Sequence, residues 1–436
     1  MTTIPFKPAS RRLAGVFNRI DAARDDLVTL TRDLIRFPTL NPPGEAYTPC
    51  AEFIGNRMAR SGFSVDYVRG EATPGDSDRY PRTNVIARLE GSRPGKTVHF
   101  NGHIDVVEAG NGWTMDPFEG VVKDGRVYGR GACDMKGGIA ASMIAVEAIA
   151  AEGLDFAGGL EISGTVDEES GGFGGVGYLA RRGYFDAPRV HHVIIPEPLD
   201  VDRVCLGHRG VWWAEVEVTG HIGHGSMPFL GVSAIRGMGD FLALVEQELY
   251  PQLDQRRTQM PCEPPGARTA TLNFNSIHGG LDERFSGLPS PLVADSCRLV
   301  LDRRYLIEED FDAVKSEIIA LLDKMKSRRP GLDYRVRELM TFQPTMTPPD
   351  AEVVTTLDHW IHKILGKPAR HIASPGTYDQ KHITRFGQVL DCVAFGPGIL
   401  DLAHQPDEYV DIDDMIASAK IMAAAALSLT GTLSAD

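Results

Sequence analysis

Apolar positions along this chain keep two rhythms that take turns. Leu27, Leu30 and Leu34 hold helical spacing and stop at Pro38, after which NPPGE reads as a loop; AYTPCAEFIGNRMARSG is a second amphipathic helix closed by Gly62. SVDYV, NVIARL and KTVHFNGH read as strands, IAASMIAVEAIAAEG as a strong helix, and LEISGTV as the strand that follows it. This alternation predicts an α/β domain with a mostly parallel central sheet flanked by helices, whose ligands bind beyond the carboxyl ends of the strands.

The rhythm changes after EPLDVDRVCLGHRG. VWWAEVEVTG alternates as a strand, a loop leads into a helix from Ser233 to about Leu249, and TLNFNSIHGG and the strand CRLVLDRRYL come next. A helix around FDAVKSEIIALLDKMKS and the strand DYRVREL complete this stretch. The expected division is therefore 1–210, a separate α+β segment over 211–340, and 341–436 returning to the first domain.

Chemistry enters at the ends of these elements. His103 and Asp105 stand in HFNGHIDVV, Asp134 in GRGACDMKGG, Glu168 and Glu169 in SGTVDEESGG, Glu197 in IIPEP and His404 in DLAHQPDEYV. Zinc takes His nitrogen and carboxylate oxygen and, in catalytic sites, leaves a position for water. Two neighbouring zinc ions need one bridging carboxylate, one His each and one further carboxylate each. His103, Asp134, Glu169, Glu197 and His404 fill that set. Glu168, beside a ligand but directed elsewhere, is then the group to take a proton from water and pass it to a leaving amine. Such a constellation points to a hydrolase.

Composition narrows the class further. The chain has 436 residues, 42% hydrophobic and 24% charged, which suits a globular protein of two or three domains. Its formal charge of −14 argues against nucleic-acid and anionic-membrane partners. Cys50, Cys133, Cys205, Cys262, Cys297 and Cys392 lack C-x-x-C spacing and read as reduced thiols. MTTIPFKPASRRLAGVFNRI has no continuous apolar core before a cleavage site, and IMAAAALSL is too short to span a bilayer, so the expected location is cytoplasmic.

His-x-Asp, Gly-x-x-Asp-Met-Lys-Gly-Gly, Asp-Glu-Glu-x-Gly-Gly, Pro-Glu-Pro and a late His with Glu408 four residues on occur here in one order. In that order the chain resembles the co-catalytic zinc aminoacylase and carboxypeptidase family, which includes acetylornithine deacetylase, succinyl-diaminopimelate desuccinylase and glutamate carboxypeptidase. The resemblance runs from roughly Leu27 to the last helix and implies two Zn²⁺ per chain, with Co²⁺ or Mn²⁺ as possible substitutes. His103, Asp134 and Glu197 would hold one ion, and Asp134, Glu169 and His404 the other, Asp134 bridging. Asp105 would orient His103 by accepting its second ring N–H.

The same resemblance makes 211–340 an inserted, ferredoxin-like lid and dimerisation domain between two parts of the catalytic domain. It implies a homodimer in which His224, rather than His221, reaches the partner's site and polarises the scissile carbonyl. Arg304 would grip a substrate carboxylate through its planar fork, with Arg303 on the opposite strand face. Asn273, Gly376, Thr377 and Asp379 align with substrate-contacting positions, and Thr377 and Tyr378 would shape the acyl pocket. The expected reaction is deacylation of an N-acyl amino acid carrying a free carboxylate. A dipeptidase or carboxypeptidase using the same site is the enzymatic alternative; an inactive, metal-stabilised binding protein is the alternative of another class, disfavoured by the intact Glu168.

Overall fold

The structure, a computed structural model, describes residues 11–153, 156–280 and 290–433, so the first ten residues of the segment weighed as a leader lie outside it. The described chain forms two compact units. The first comprises residues up to Gly207, Thr347–Ile372 and Tyr378 onward; the second comprises His208–Met346 and Ala373–Thr377.

In the first unit a sheet runs Ser64–Arg69, Thr83–Glu90, Ala157–Thr165, Arg93–His103, His192–Ile195, Cys392–Ala394 and Arg203–His208. Its four central members, from Ala157–Thr165 to Cys392–Ala394, pair in parallel. Antiparallel strands lie outside them on both sides. The helix Gly137–Ala151 is apolar nearly all round, as expected of a helix buried on every face, and Ile412–Leu429 packs against it and against Glu352–Leu365. A helix over Arg11–Ala22, not anticipated from the sequence, buries Leu13, Val16, Phe17 and Ile20. No helix among the described residues is long and apolar enough to cross a membrane.

Strands inside a parallel sheet usually read as continuous apolar runs, because both faces are covered. Here one face of the central pair is polar and still buried. His99, Asn101 and His103 stand opposite Glu161, Ser163 and Thr165 in register. The rungs satisfy one another: His99 Nδ1 lies 2.8 Å from Glu161, His99 Nε2 2.7 Å from Ser163 Oγ, and Ser163 donates to Asn101 Oδ1 at 2.8 Å. Asn101 Nδ2 in turn donates to Asp379 at 2.9 Å. This polar ladder ends at His103.

The second unit is a βαββαβ arrangement. Its sheet runs Thr271–Gly279, Ser296–Tyr305, Gly210–Thr219 and Asp333–Phe342, antiparallel throughout, which is ferredoxin-like order. Alternation along Gly210–Thr219 turns Trp212, Ala214, Val216 and Val218 inward onto Met238, Phe241, Ile318 and Leu322 of the covering helices. Those helices start where capping residues stand: Ser233 Oγ accepts the Arg236 N–H at 3.3 Å and Asp310 accepts that of Ala313 at 2.9 Å.

Candidate active site

Three neighbouring parallel strands deliver three of the candidate ligands at their carboxyl ends. Arg93–His103 ends on His103, Ala157–Thr165 runs into the turn Glu168–Ser170, and His192–Ile195 runs into Pro196 and Glu197. Asp167 begins the Glu168 turn in left-handed backbone at φ 65°, a conformation Asp tolerates better than most residues. Its carboxylate accepts from Tyr47 Oη and Arg82 Nε, each at 3.1 Å, which fixes the turn.

Asp134 sits in the turn Ala132–Lys136 that enters the buried helix, and both it and Met135 depart from helical backbone. Glu408 holds this turn from the far side: one oxygen accepts the N–H groups of Cys133 at 2.8 Å and Asp134 at 3.0 Å, and the other pairs with Arg130 at 2.5 Å. Lys136 donates to the Phe37 carbonyl at 2.7 Å, so the lysine of this motif is structural. At Gly138 a Cβ would meet the Pro196 carbonyl oxygen at 1.9 Å. Only glycine lets the Asp134 turn and the Glu197 loop approach this closely.

The side chains converge. His103 Nε2 lies 3.0 Å from Asp134 Oδ1; His404 Nε2 lies 3.0 Å from Glu169 Oε1 and 3.4 Å from Asp134 Oδ2. Donor atoms of His103, Asp134 and Glu169 all fall within 4.8 Å of one another. Asp134 thus stands between the two histidines, where a bridging carboxylate belongs. His103 is buried, whereas the His404 side chain is 47% exposed, so the cluster opens on that side.

Charge in this cluster is strained toward binding cations. Burial and the Asp134 charge push Glu197 well above the carboxylate range and Glu169 up to about 7, against the pull of the histidines. Burial works against charge on His103, but Asp134, Glu197 and Asp105 outweigh it and hold the ring well above its ordinary value. Bonds to Asp134 and Glu169 raise His404 to about 10. Burial likewise works against Asp134, yet its bonds to both rings hold it below its usual value. Carboxylates that retain protons beside histidines that gain them are what a metal-ligand set does when protons stand in for cations.

Two expectations need correction. His103 Nδ1 has the Asp105 backbone carbonyl at 3.0 Å, while the Asp105 carboxylate is 3.6 Å away. That carboxylate is engaged elsewhere, accepting from Asn41 Nδ2 at 2.8 Å and from the N–H groups of Glu168 and Glu169 at 3.1 Å. Asp105 therefore orients the ring through its main chain and the two glutamates through its side chain. Tyr378, expected in the pocket wall, is 5% exposed in the core of the first unit, where its hydroxyl reaches the Cys205 carbonyl.

One close partner went unforeseen. Lys381 Nζ lies 2.5 Å from Glu168 Oε1. Its only sequence signal is that it follows the GTYD turn.

In the second unit Arg304, Asp302 and Asn273 share the sheet face opposite the helices, Asn273 being the cross-strand neighbour of Asp302. Asp302 already binds Arg304 Nε at 2.7 Å and Nη2 at 3.0 Å, so Nη1 takes no part in that pair. Arg303, on the other face, is buried against Glu309 at 2.5 Å. His224 is exposed in the two-residue strand Gly223–His224, with Ser226 Oγ 2.8 Å from its Nδ1. Gly376 and Thr377 belong to the segment Ala373–Thr377 of this unit, and Arg209 Nε anchors that segment through the Pro375 carbonyl at 3.1 Å.

Candidate ligands gathered largely at the carboxyl ends of parallel strands, with a second glutamate beside them, suit the class to which the family and its relatives assign the chain, a metal-dependent hydrolase of amide bonds. Residues 99–428 match the model of Peptidase family M20/M25/M40, and the chain belongs to that family. Succinyl-diaminopimelate desuccinylase of Stenotrophomonas maltophilia (strain K279a) is 29% identical over 399 residues, 90% of this chain and 96% of its own. Acetylornithine deacetylase of Myxococcus xanthus is 30% identical over 384 residues, 88% and 92% respectively. Human carnosine dipeptidase 1 shares the fold, with a TM-score of 0.75 and 20% identity across 97% of this chain and 100% of that one.

Proposed function

We propose that this protein is a deacylase that hydrolyses the amide of an N-acyl amino acid with a free carboxylate next to the scissile bond. The observation that carries the reading is the sharing of Asp134 between His103 and His404, with Glu169 bonded to His404 and Glu168 beside them, held at Oε1 by Lys381 rather than by either histidine. The donor set fits two Zn²⁺, with Co²⁺ or Mn²⁺ as substitutes: His103, Asp134 and Glu197 on one, Asp134, Glu169 and His404 on the other. Bound there, the ions supply a Lewis acid for the amide carbonyl and acidify water.

The chain's own groups do the rest. Glu168 takes the water proton on its carboxylate and returns it to the amine as the C–N bond breaks. Asp105, through the two N–H bonds it accepts, holds Glu168 and Glu169 in fixed relation. Arg304 grips the substrate carboxylate with the part of its fork that Asp302 leaves open, and Asn273, Gly376 and Thr377 complete that side. His224 acts across a homodimer on the carbonyl oxygen. Ile222, Met227, Phe229 and Leu230 beside it are exposed large apolar residues, and Phe229 reaches 79%, which suits a surface that a second copy covers. Six buried free cysteines suit a reducing cytoplasm.

The test is a screen of metal-loaded protein for amine release from N-acetyl, N-succinyl, N-formyl and aryl-acyl amino acids, with dipeptides and methyl esters alongside. Free acids should be cleaved, and esterification should lower kcat/KM by roughly 10- to 10²-fold through loss of a charged contact. Faster cleavage of dipeptides would replace the deacylase with a dipeptidase. Equal cleavage of ester and acid would remove Arg304 from recognition.

A further inference from the structure

The adjacent acids Glu168 and Glu169 face different partners: Glu169 meets His404, and Glu168 meets Lys381. Lys381 is an unusual companion for a reactive carboxylate. Its side chain is 1% exposed and that of Glu168 11%, so the pair is sheltered from water on the lysine side. A lysine is rarely buried unless something holds it charged. Burial works against the ammonium, but Glu168 and Asp379 outweigh it and keep its pKa above the ordinary value.

The lysine is also locked in place. Gln380 Nε2, one residue earlier, donates to the carbonyls of Leu206 at 3.1 Å and Cys392 at 2.6 Å. One residue later, His382 Nε2 meets the Gly171 carbonyl at 2.7 Å, in the segment that carries Glu168. Asp379 is tied to the polar ladder through Asn101. The ammonium therefore sits at a point set by the first unit's core rather than by a flexible stem.

We infer that Lys381 is a positioning residue for the general base: by holding Glu168 Oε1 it stops the carboxylate from rotating and leaves Oε2 as the oxygen presented to water. The terminal torsion of a glutamate is broad and roughly two-fold, so an unheld carboxylate would sample many orientations. Misplacement of a reacting group by about 1 Å costs on the order of 10²-fold. The inference rests on the reading of Glu168 as base, and on nothing about substrate identity.

A double-mutant cycle between Lys381→Met and Glu168→Gln, with metal content and thermal stability measured throughout, tests it. Lys381→Met should lower kcat by about 10- to 10²-fold with KM nearly unchanged, and Lys381→Arg should recover part of that loss. In the Glu168→Gln background the same Lys381→Met change should cost nothing further, because its route of action is already gone. If Lys381→Met alone fails to accumulate, the double variant, which removes both members of the buried pair, carries the comparison against Glu168→Gln. Normal kcat in Lys381→Met, a defect confined to KM, or an added loss in the double variant would each overturn the inference. Normal turnover in Glu168→Gln would instead strike the base itself, which separates the two failures.

Discussion

Among the described residues, the first unit holds two clusters of histidine and carboxylate, one at each end of the parallel part of its sheet. At the carboxyl ends stand His103, Asp134 and Glu169; at the amino ends stand His192, Glu352 and Asp391, and in both groups the donor atoms lie within 4.8 Å of one another. Distance does not tell them apart. Their charge balance does. Glu352 is ion-paired with Lys96, and Asp391 accepts from His192 Nδ1 at 2.5 Å and from the Val353 N–H, in the first turn of the helix Glu352–Leu365, at 3.2 Å. A lysine and a helix start answer those carboxylates. Asp134 and Glu169 are answered by two histidines, groups that a metal can share and a lysine cannot. The difference lies in which carboxylates a fixed cation meets: Lys96 pairs with Glu352, a member of the amino-end group, whereas Lys381 pairs with Glu168 and leaves Asp134 and Glu169 to the histidines.

Metal removal should break this comparison most visibly. A chelator should abolish turnover, and Zn²⁺ or Co²⁺ should restore it, with up to two ions per chain by elemental analysis. Full activity in rigorously metal-free protein would show that the carboxyl-end cluster needs no cation.

Next in size is Glu168→Gln, which keeps the shape but cannot take a proton. Turnover should fall by about 10² to 10⁴-fold while the ions stay bound. Loss of the ions with the activity would make Glu168 a ligand.

A smaller effect concerns pH. With Glu169 raised to about 7 and His404 to about 10, both bind protons more tightly folded than unfolded. Their contribution to the stability of metal-free protein is thus full below their unfolded pKa values and declines as pH rises through 7 and then 10. Metal binding demands the deprotonated forms, so the Tm difference between loaded and metal-free protein should widen from about pH 5 to about pH 7.5. A pH-independent gap in calorimetry would contradict that linkage.

The smallest effect sharpens the contrast from the other side. His192→Gln should lower stability by about 1 to 3 kcal/mol in urea titration, the cost of disturbing a buried hydrogen-bonded group, with the ion count unchanged. A lost ion in that variant would erase the distinction between the two clusters.

Much of this was legible because the chemistry travels with local pattern. Alternating strand and helix place loops at strand carboxyl ends, and residues chosen from such loops, His103, Asp134, Glu169 and His404, do meet in the structure. What escaped depends on contacts far apart in sequence. Lys381 in DQKH has the look of a surface residue, and its burial follows from the way Gln380 and His382 tie their turn to strand ends and to the Gly171 turn. The Asp105 carboxylate reads as a partner for the histidine two residues away; the N–H groups it takes lie 63 and 64 positions on. Tyr378 follows Thr377 in the chain yet turns into the core, and no periodicity in GTYD marks that reversal.

The polar ladder inside the central sheet also limits how this chain can change over generations. His99 and Glu161, or Asn101 and Ser163, are neighbours across strands though some sixty positions apart in the gene's order. An apolar replacement on one rung alone leaves a buried bonding atom of its opposite number unmet, even at Glu161, where Arg88 and Arg189 still hold the other oxygen. Heritable change there has to arrive in matched pairs, so the middle of the sheet should drift far more slowly than an ordinary hydrophobic core, where one methyl group can be exchanged at a time.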